Sequence, residues 1–140
     1  MKFLRTIYSI VLLTAFSNVY GGTCFRNPID AGDCQLRAKQ GDIVAQGILG
    51  ALYREGDILP QDIKQSFYWF KSAAQRGNAF SQYSLALMYS NGNGVKQDDV
   101  KAFEWTKLSA LNDFYRAQYN LGLMYLNGKG VKKNELEAFK

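Results

Sequence analysis

Histidine is absent from this chain of 140 residues. The commonest general base and the commonest transition-metal ligand are therefore both missing. Neither a Ser-His-Asp nor a Cys-His arrangement can be assembled. Cysteine is scarce, with only Cys24 and Cys34. No S-x-x-K occurs, which removes the serine route of the common β-lactamases. Apolar runs are short: the longest candidate, Thr6–Phe16, is about eleven residues where a bilayer span needs about 20, so no transmembrane segment is expected. Basic residues are in excess, with a formal charge of +5, but they form no run. Nucleic-acid binding needs a clustered basic face, so it is set aside. No residue is assigned as catalytic, cofactor-binding or metal-ligating.

What the chain does have is a repeat. Ala117–Val131, AQYNLGLMYLNGKGV, is nearly the same as Ser81–Val95, SQYSLALMYSNGNGV, 36 positions earlier. A worn copy, AQGILGALYREGDIL, lies another 36 positions back at Ala45–Leu59. Fixed-period self-similarity marks units that stack on one another. About half of Ser81–Glu104 is identical to Ala117–Lys140, mostly apolar residues at helical spacing and loop glycines. At 47% apolar the chain has material for a buried core.

The first residues lie outside the repeat. Lys2 and Arg5 precede the apolar run, and small residues follow it. This order reads as a secretory signal peptide over residues 1–21, with cleavage before Asn18 or before Gly22. Removal leaves 15 basic against 12 acidic residues, near +3. Gly21-Gly22-Thr23 lacks the usual pattern before a lipidated cysteine, so Cys24 is not read as acylated. Export implies an oxidising compartment and a Cys24–Cys34 disulfide. Such a bond would pin the lead-in Phe25–Gly32 and stabilise by roughly 2–3 kcal/mol in the chain-entropy model. A reactive thiol is the competing reading, with Arg26 and Arg37 as weak neighbours in sequence.

Residues 22–44 read as this lead-in plus a half unit, because Ala38 and Gly41 align with Ala74 and Gly77. Full units follow at 45–80 and 81–116, with an incomplete one at 117–140. First helices are expected over Ile43–Arg54, Ala79–Ser90 and Tyr115–Leu126, and second helices over Ile63–Arg76, Asp99–Leu111 and from about Asn134. Asp62 and Asp98 precede second helices as N-caps. They belong to different units and make no acid–base pair. Gly77 suits a C-cap, and Asp113 stands in its place one unit later. Gly50, Ala86 and Gly122 share one mid-helix position, where a small residue implies close approach by a neighbouring helix. Phe67, Phe103 and Phe139, and likewise Trp69 and Trp105, recur in second helices and are expected as the core between units. Gly92-Asn93-Gly94 and Gly128-Lys129-Gly130 are poor phosphate loops, since a helix precedes them instead of a strand.

The run A-Q-Y-N-L-G-L-M-Y, then G-x-G-V, then Asp or Asn, then an A-F-x-W helix ending in Ala-Ala and Gly, resembles the Sel1-like repeat. It covers Arg37–Lys140, and the period of 36 fits it better than the 34 of the tetratricopeptide class. The resemblance implies an all-α fold, an α/α solenoid of antiparallel helix pairs with a concave groove. It also implies an adaptor for protein partners, exported members being tied to envelope assembly, stress signalling or host contact. Gly56-Asp57-Ile58-Leu59-Pro60 departs from G-x-G-V, so the first loop is expected to differ. The chain also stops inside its last second helix, leaving Phe139 next to the end.

On this reading the protein is periplasmic or secreted, has no cofactor, and is a monomer unless its open C-terminal end docks. A protein or peptide partner would lie against first-helix positions that vary between units: Ile48, Ser84 and Asn120; Ala51, Leu87 and Leu123; Arg54, Ser90 and Leu126. Asn and Ser there would bond a peptide backbone, and the leucines would supply apolar contact. The alternative is a hydrolase or binding protein directed at β-lactams or peptidoglycan, as for cysteine-rich Sel1-like proteins. Those carry a cysteine pair in each repeat, and this chain has one pair in all.

Overall fold

The computed structural model describes Cys24 and residues 29–139. The expected signal peptide and Phe25–Pro28 of the lead-in lie outside these residues. Among the described residues there are seven α-helices and no strand: α1 Ala31–Lys39, α2 Ile43–Glu55, α3 Ile63–Gln75, α4 Ala79–Asn91, α5 Asp99–Leu111, α6 Tyr115–Asn127 and α7 Glu135–Ala138. Each helix packs chiefly on its neighbours in the chain, and α2 also touches α4. The fold is thus a row of helical hairpins, as the periodicity requires. Helix starts follow the capping chemistry. The side chains of Asp30, Asp42, Asp62, Asn78, Asp98 and Asn134 each accept from backbone N–H groups of the turn they open. Helix α1 begins at Ala31, a turn before Cys34.

Two devices tie each unit to the next. Residues Gln46, Gln82 and Gln118 occupy one position, and each Nε2 donates to a carbonyl near the end of the preceding helix: Ala38 at 3.1 Å, Ala74 at 3.1 Å and Ala110 at 3.3 Å. The second device is the last glycine of each G-x-G loop. A Cβ on Gly94 would meet Ile63 of α3, and one on Gly130 would overlap the Asp99 carbonyl of α5, so each loop rests on the start of the previous unit's second helix. Both glycines have φ of +70°, which side chains with a Cβ rarely adopt. The first loop differs, as expected: Ile58 takes this place and is half-exposed, while Leu59 packs on the core as Val95 does a unit later. Its neighbour α1 starts at Ala31, the counterpart of Phe67 and a turn further along than the first residue of α3.

The core corrects one expectation. Among the described aromatics the ring at 0% exposure is Phe70, which does not recur between units. The recurring Phe67, Trp69, Phe103 and Trp105 are only half-buried, and Phe139 is 82% exposed. The phenylalanines still join units: Phe67 meets Tyr89 edge-on at 5.8 Å, and Phe103 meets Tyr125 at 5.3 Å. Gly50 is small because Phe70 lies on it, its ring 2.7 Å from where a Cβ would stand. At Gly122 the intruder is the Ala138 carbonyl. Close approach by a neighbouring helix therefore holds, with a side chain in one case and backbone in the other.

Candidate functional site

The described end of the row is closed chemically. Cys24 and Cys34 are both at 0% exposure, and their sulfurs lie 2.19 Å apart in a disulfide. Asp33 accepts from the Cys24 backbone N–H at 2.8 Å and pairs with Arg37 at 3.3 Å, which holds Cys24 on α1.

The candidate binding wall is formed by α2, α4 and α6. In the later units, Leu87, Ser90, Asn120 and Leu123 line one cleft of about 230 Å³ between α4, α5 and α6. Ala86 and Thr106 form part of its lining, and Lys129 is the one charged side chain among the residues around it. The Lys129 ammonium donates to Ser90 Oγ at 2.6 Å and pairs with Asp99 at 3.6 Å. Ile48, Ala51, Arg54 and Leu126 are half-buried on the same helices outside this cleft. Ser84 is a correction. At 2% exposure it lies beneath the surface, its hydroxyl without a partner, so it does not present itself to a peptide. Asn120 is also committed inward in part, since its Nδ2 donates to Tyr83 Oη at 2.7 Å.

The sequence reading missed the aromatic patch beside this cleft. Phe114 meets Phe80 at 6.4 Å, Tyr83 at 5.3 Å and Tyr115 at 5.9 Å. Tyr115 and Tyr119 are 66% and 70% exposed, one helical turn apart on α6. The signal was available: Phe80 is four residues before Ser84, on the same helix face. Phe114 stands where Asp42 and Asn78 cap the earlier first helices, and α6 has no side-chain cap bond. Ring contacts there take the place of a polar cap.

Among the described residues, Asp98 has its carboxyl held below the ordinary range. The Lys101 backbone N–H, donating at 3.0 Å, is the main cause, and the Lys101 ammonium adds to it. Among the described residues no three of His, Cys, Asp and Glu gather in a metal-sized group. No described helix is long and apolar enough to cross a membrane.

Antiparallel helix pairs in register, stapled at a fixed position and walled by variable side chains, define an α/α repeat protein. The model of the Sel1 repeat matches residues 43–78, 79–114 and 116–140, and the chain belongs to that family. Two solved structures are similar. One is c5321, described as a protective antigen present in uropathogenic Escherichia coli strains and displaying an SLR fold, at 38% identity and a TM-score of 0.75 over 79% of this chain. The other is a Sel1 repeat protein from Oxalobacter formigenes, at 37% identity and a TM-score of 0.70 over 76% of this chain and 80% of that one. This chain spans 24% of the antigen's length. Comparison with curated proteins finds no match.

Proposed function

We propose that this protein is an exported, non-enzymatic adaptor that holds a protein partner against the wall of α2, α4 and α6. The observation that carries the reading is the exposed aromatic and leucine surface of α4 and α6. Tyr115, Tyr119, Phe80 and Leu123 are each more than a third exposed, on a family of folds whose general use is protein interaction. Exposed tyrosines beside apolar side chains are the composition of interface centres. Leu87 and Leu123 supply apolar contact, with Ile48, Ala51, Asn120 and Leu126 as further contact positions. The buried disulfide and the basic-then-apolar start of the sequence support a periplasmic or secreted location.

A pull-down from envelope extract tests the wall. Leu87→Glu with Leu123→Glu should abolish capture at unchanged far-UV circular dichroism, and Tyr115→Ser with Tyr119→Ser should weaken it. Capture that survives both pairs refutes the wall. Mass spectrometry of the protein recovered from the source cells tests export. A chain starting at Asn18 or Gly22 supports it, and a cytosolic chain retaining Met1 and Lys2 sinks it.

A further inference from the structure

The tyrosines of the aromatic patch have their accepting side already served. Tyr115 Oη accepts from Arg116 Nε at 2.9 Å, and Tyr83 Oη accepts from Asn120 Nδ2 at 2.7 Å. A phenol oxygen that accepts still has its own proton to give. Tyr119, one turn along α6 and 70% exposed, has a hydroxyl with no partner among the described residues. The patch is therefore a row of rings with donors at their tips. Its charge has one sign as well. Arg116 is the only charged residue on α4 or α6. Its guanidinium lies 5.7 Å from the Tyr115 ring centroid. Only its Nε is bonded, and no described carboxylate pairs with it. Lys129, by contrast, is held by Asp99 and Ser90.

We propose that this face takes a proline-rich segment of a partner protein in the polyproline II conformation, with an acidic residue beside the prolines. Proline has no N–H, and a polyproline II chain makes no internal hydrogen bonds, so it offers carbonyl acceptors and few donors. That is the complement of a row of phenol donors. A helical segment keeps its carbonyls in its own hydrogen bonds. An extended segment with ordinary residues brings N–H groups that need acceptors. Proline rings lie against the exposed rings of Tyr115, Tyr119 and Phe80, and the carboxylate pairs with the terminal nitrogens of Arg116. A stiff chain also loses little entropy when it settles on a wall of packed helices. This deepens the adaptor reading and rests on it for the identity of the ligand as a protein segment.

The test titrates isotope-labelled protein with acetyl-Pro-Pro-Pro-Pro-Glu-amide, acetyl-Pro-Pro-Pro-Pro-Gln-amide and acetyl-Ala-Gly-Ser-Ala-Glu-amide, following amide shifts by NMR. Both proline peptides should shift Tyr115, Tyr119 and Leu123 saturably, and the proline-free peptide should not. The Glu-bearing proline peptide should bind about two- to fivefold tighter than its Gln partner, the range of an exposed charge pair. Arg116→Gln should remove that difference. Tyr119→Phe keeps the ring and loses only the donor, at an exposed position that folding tolerates. It should weaken both proline peptides about two- to tenfold, the range of one hydrogen bond. Tyr115→Ser with Tyr119→Ser should abolish binding at unchanged far-UV circular dichroism. Equal binding of the proline-free peptide, or a Tyr119→Phe protein that binds as wild type does, overturns the proposal. If the proline peptides fail while wild-type protein still captures a partner from envelope extract, the polyproline assignment falls and the adaptor reading stands. If they bind with no partner captured, the polyproline assignment stands alone.

Discussion

The glutamine that joins each unit to the one before offers the sharpest quantitative test. Gln82 is 4% exposed; its Nε2 donates to the Ala74 carbonyl at 3.1 Å, and its Oε1 accepts from Asn112 Nδ2 at 2.9 Å. Gln82→Met keeps the length and most of the packing but removes both bonds. Each net bond is worth about 0.5–1.5 kcal/mol, so about 1–3 kcal/mol should be lost. The lower half of that range is expected. The Ala74 carbonyl keeps a bond from Gly77 N–H at 3.1 Å, and exposed Asn112 can turn to water. Gln82→Glu is the more telling change. Its carboxylate would face the Ala74 carbonyl, acceptor against acceptor, in a site that penalises charge. Its pKa should rise above the unfolded value near 4.3. The variant should therefore be less stable than Gln82→Met at neutral pH and recover as pH falls, when the protonated acid can donate to Ala74. Urea unfolding at pH 7 and pH 4.5, followed by circular dichroism, measures all three proteins. Gln118→Met is the internal control, since Gln118 is exposed and its bond is longer at 3.3 Å. Equal stability of the Met and Glu variants at pH 7, or a loss at Gln118 as large as at Gln82, would refute the staple.

Ser66 and Ser81 are fully buried with hydroxyls that find no partner, and both have alanine at their counterparts, Ala102 and Ala45. Ser66→Ala and Ser81→Ala should each leave stability unchanged or raise it by up to about 1 kcal/mol, read from the denaturation midpoint. Gly130→Ala combines a φ of +70° with overlap on the Asp99 carbonyl, so it should cost at least about 1–2 kcal/mol from backbone strain alone. Gly77→Ala, at φ +90° with open space around it, should show only the strain. The Asp98 carboxyl is held low mainly by the Lys101 backbone N–H. Its contribution is therefore present above the ordinary carboxylate pKa and is lost as pH falls through the depressed value. Asp98→Asn should flatten that acid limb of a stability–pH curve, and an unchanged limb would remove Asp98 as its source.

Legibility in the sequence followed what each position must satisfy. Helix ends read well because Asp62, Asp98 and the Gly77/Asp113 position answer local backbone needs that no distant contact can override; Asp113 adopts φ +60° in the glycine's place. Stacking read well because the period is a global property. Burial read less well. Phe67 and Phe103 repeat because they bridge units, yet bridging rings sit at a seam and stay half-exposed. Phe70 occurs once, so a search for recurrence passes over it. Ser84 is hidden for a related reason: a position that varies between units need not face solvent, and this one sits inside. The aromatic patch was missed because Phe114 ends one unit while Phe80, Tyr83 and Tyr115 belong to first helices on either side, and only the packing of α4 against α6 brings them together.

The paired exchange between units one and two bears on how the wall came to differ along its length. Phe70 requires glycine at position 50, because any Cβ there would lie 2.7 Å from the ring. Once Thr106 takes the ring's place, that constraint lifts, and Ala86 recovers about 1 kcal/mol of helix propensity over glycine. It does not recover the roughly 2–3 kcal/mol of a buried aromatic ring. A fold under selection for stability alone would keep the phenylalanine, as unit one does beside the disulfide. Unit two instead closes on the smaller pair, with Ala86 and Thr106 buried beneath a cleft bordered by Asn120, whose amide is held by Tyr83, which in turn packs on Phe114. The cleft and the aromatic patch are thus one connected surface. Ala86→Gly with Thr106→Phe, which copies unit one into unit two, should lower the unfolding midpoint, because unit two is already packed around the smaller pair. A variant that gains stability would show that room for a ring remains beside Thr106, and this account of the exchange between units would fail.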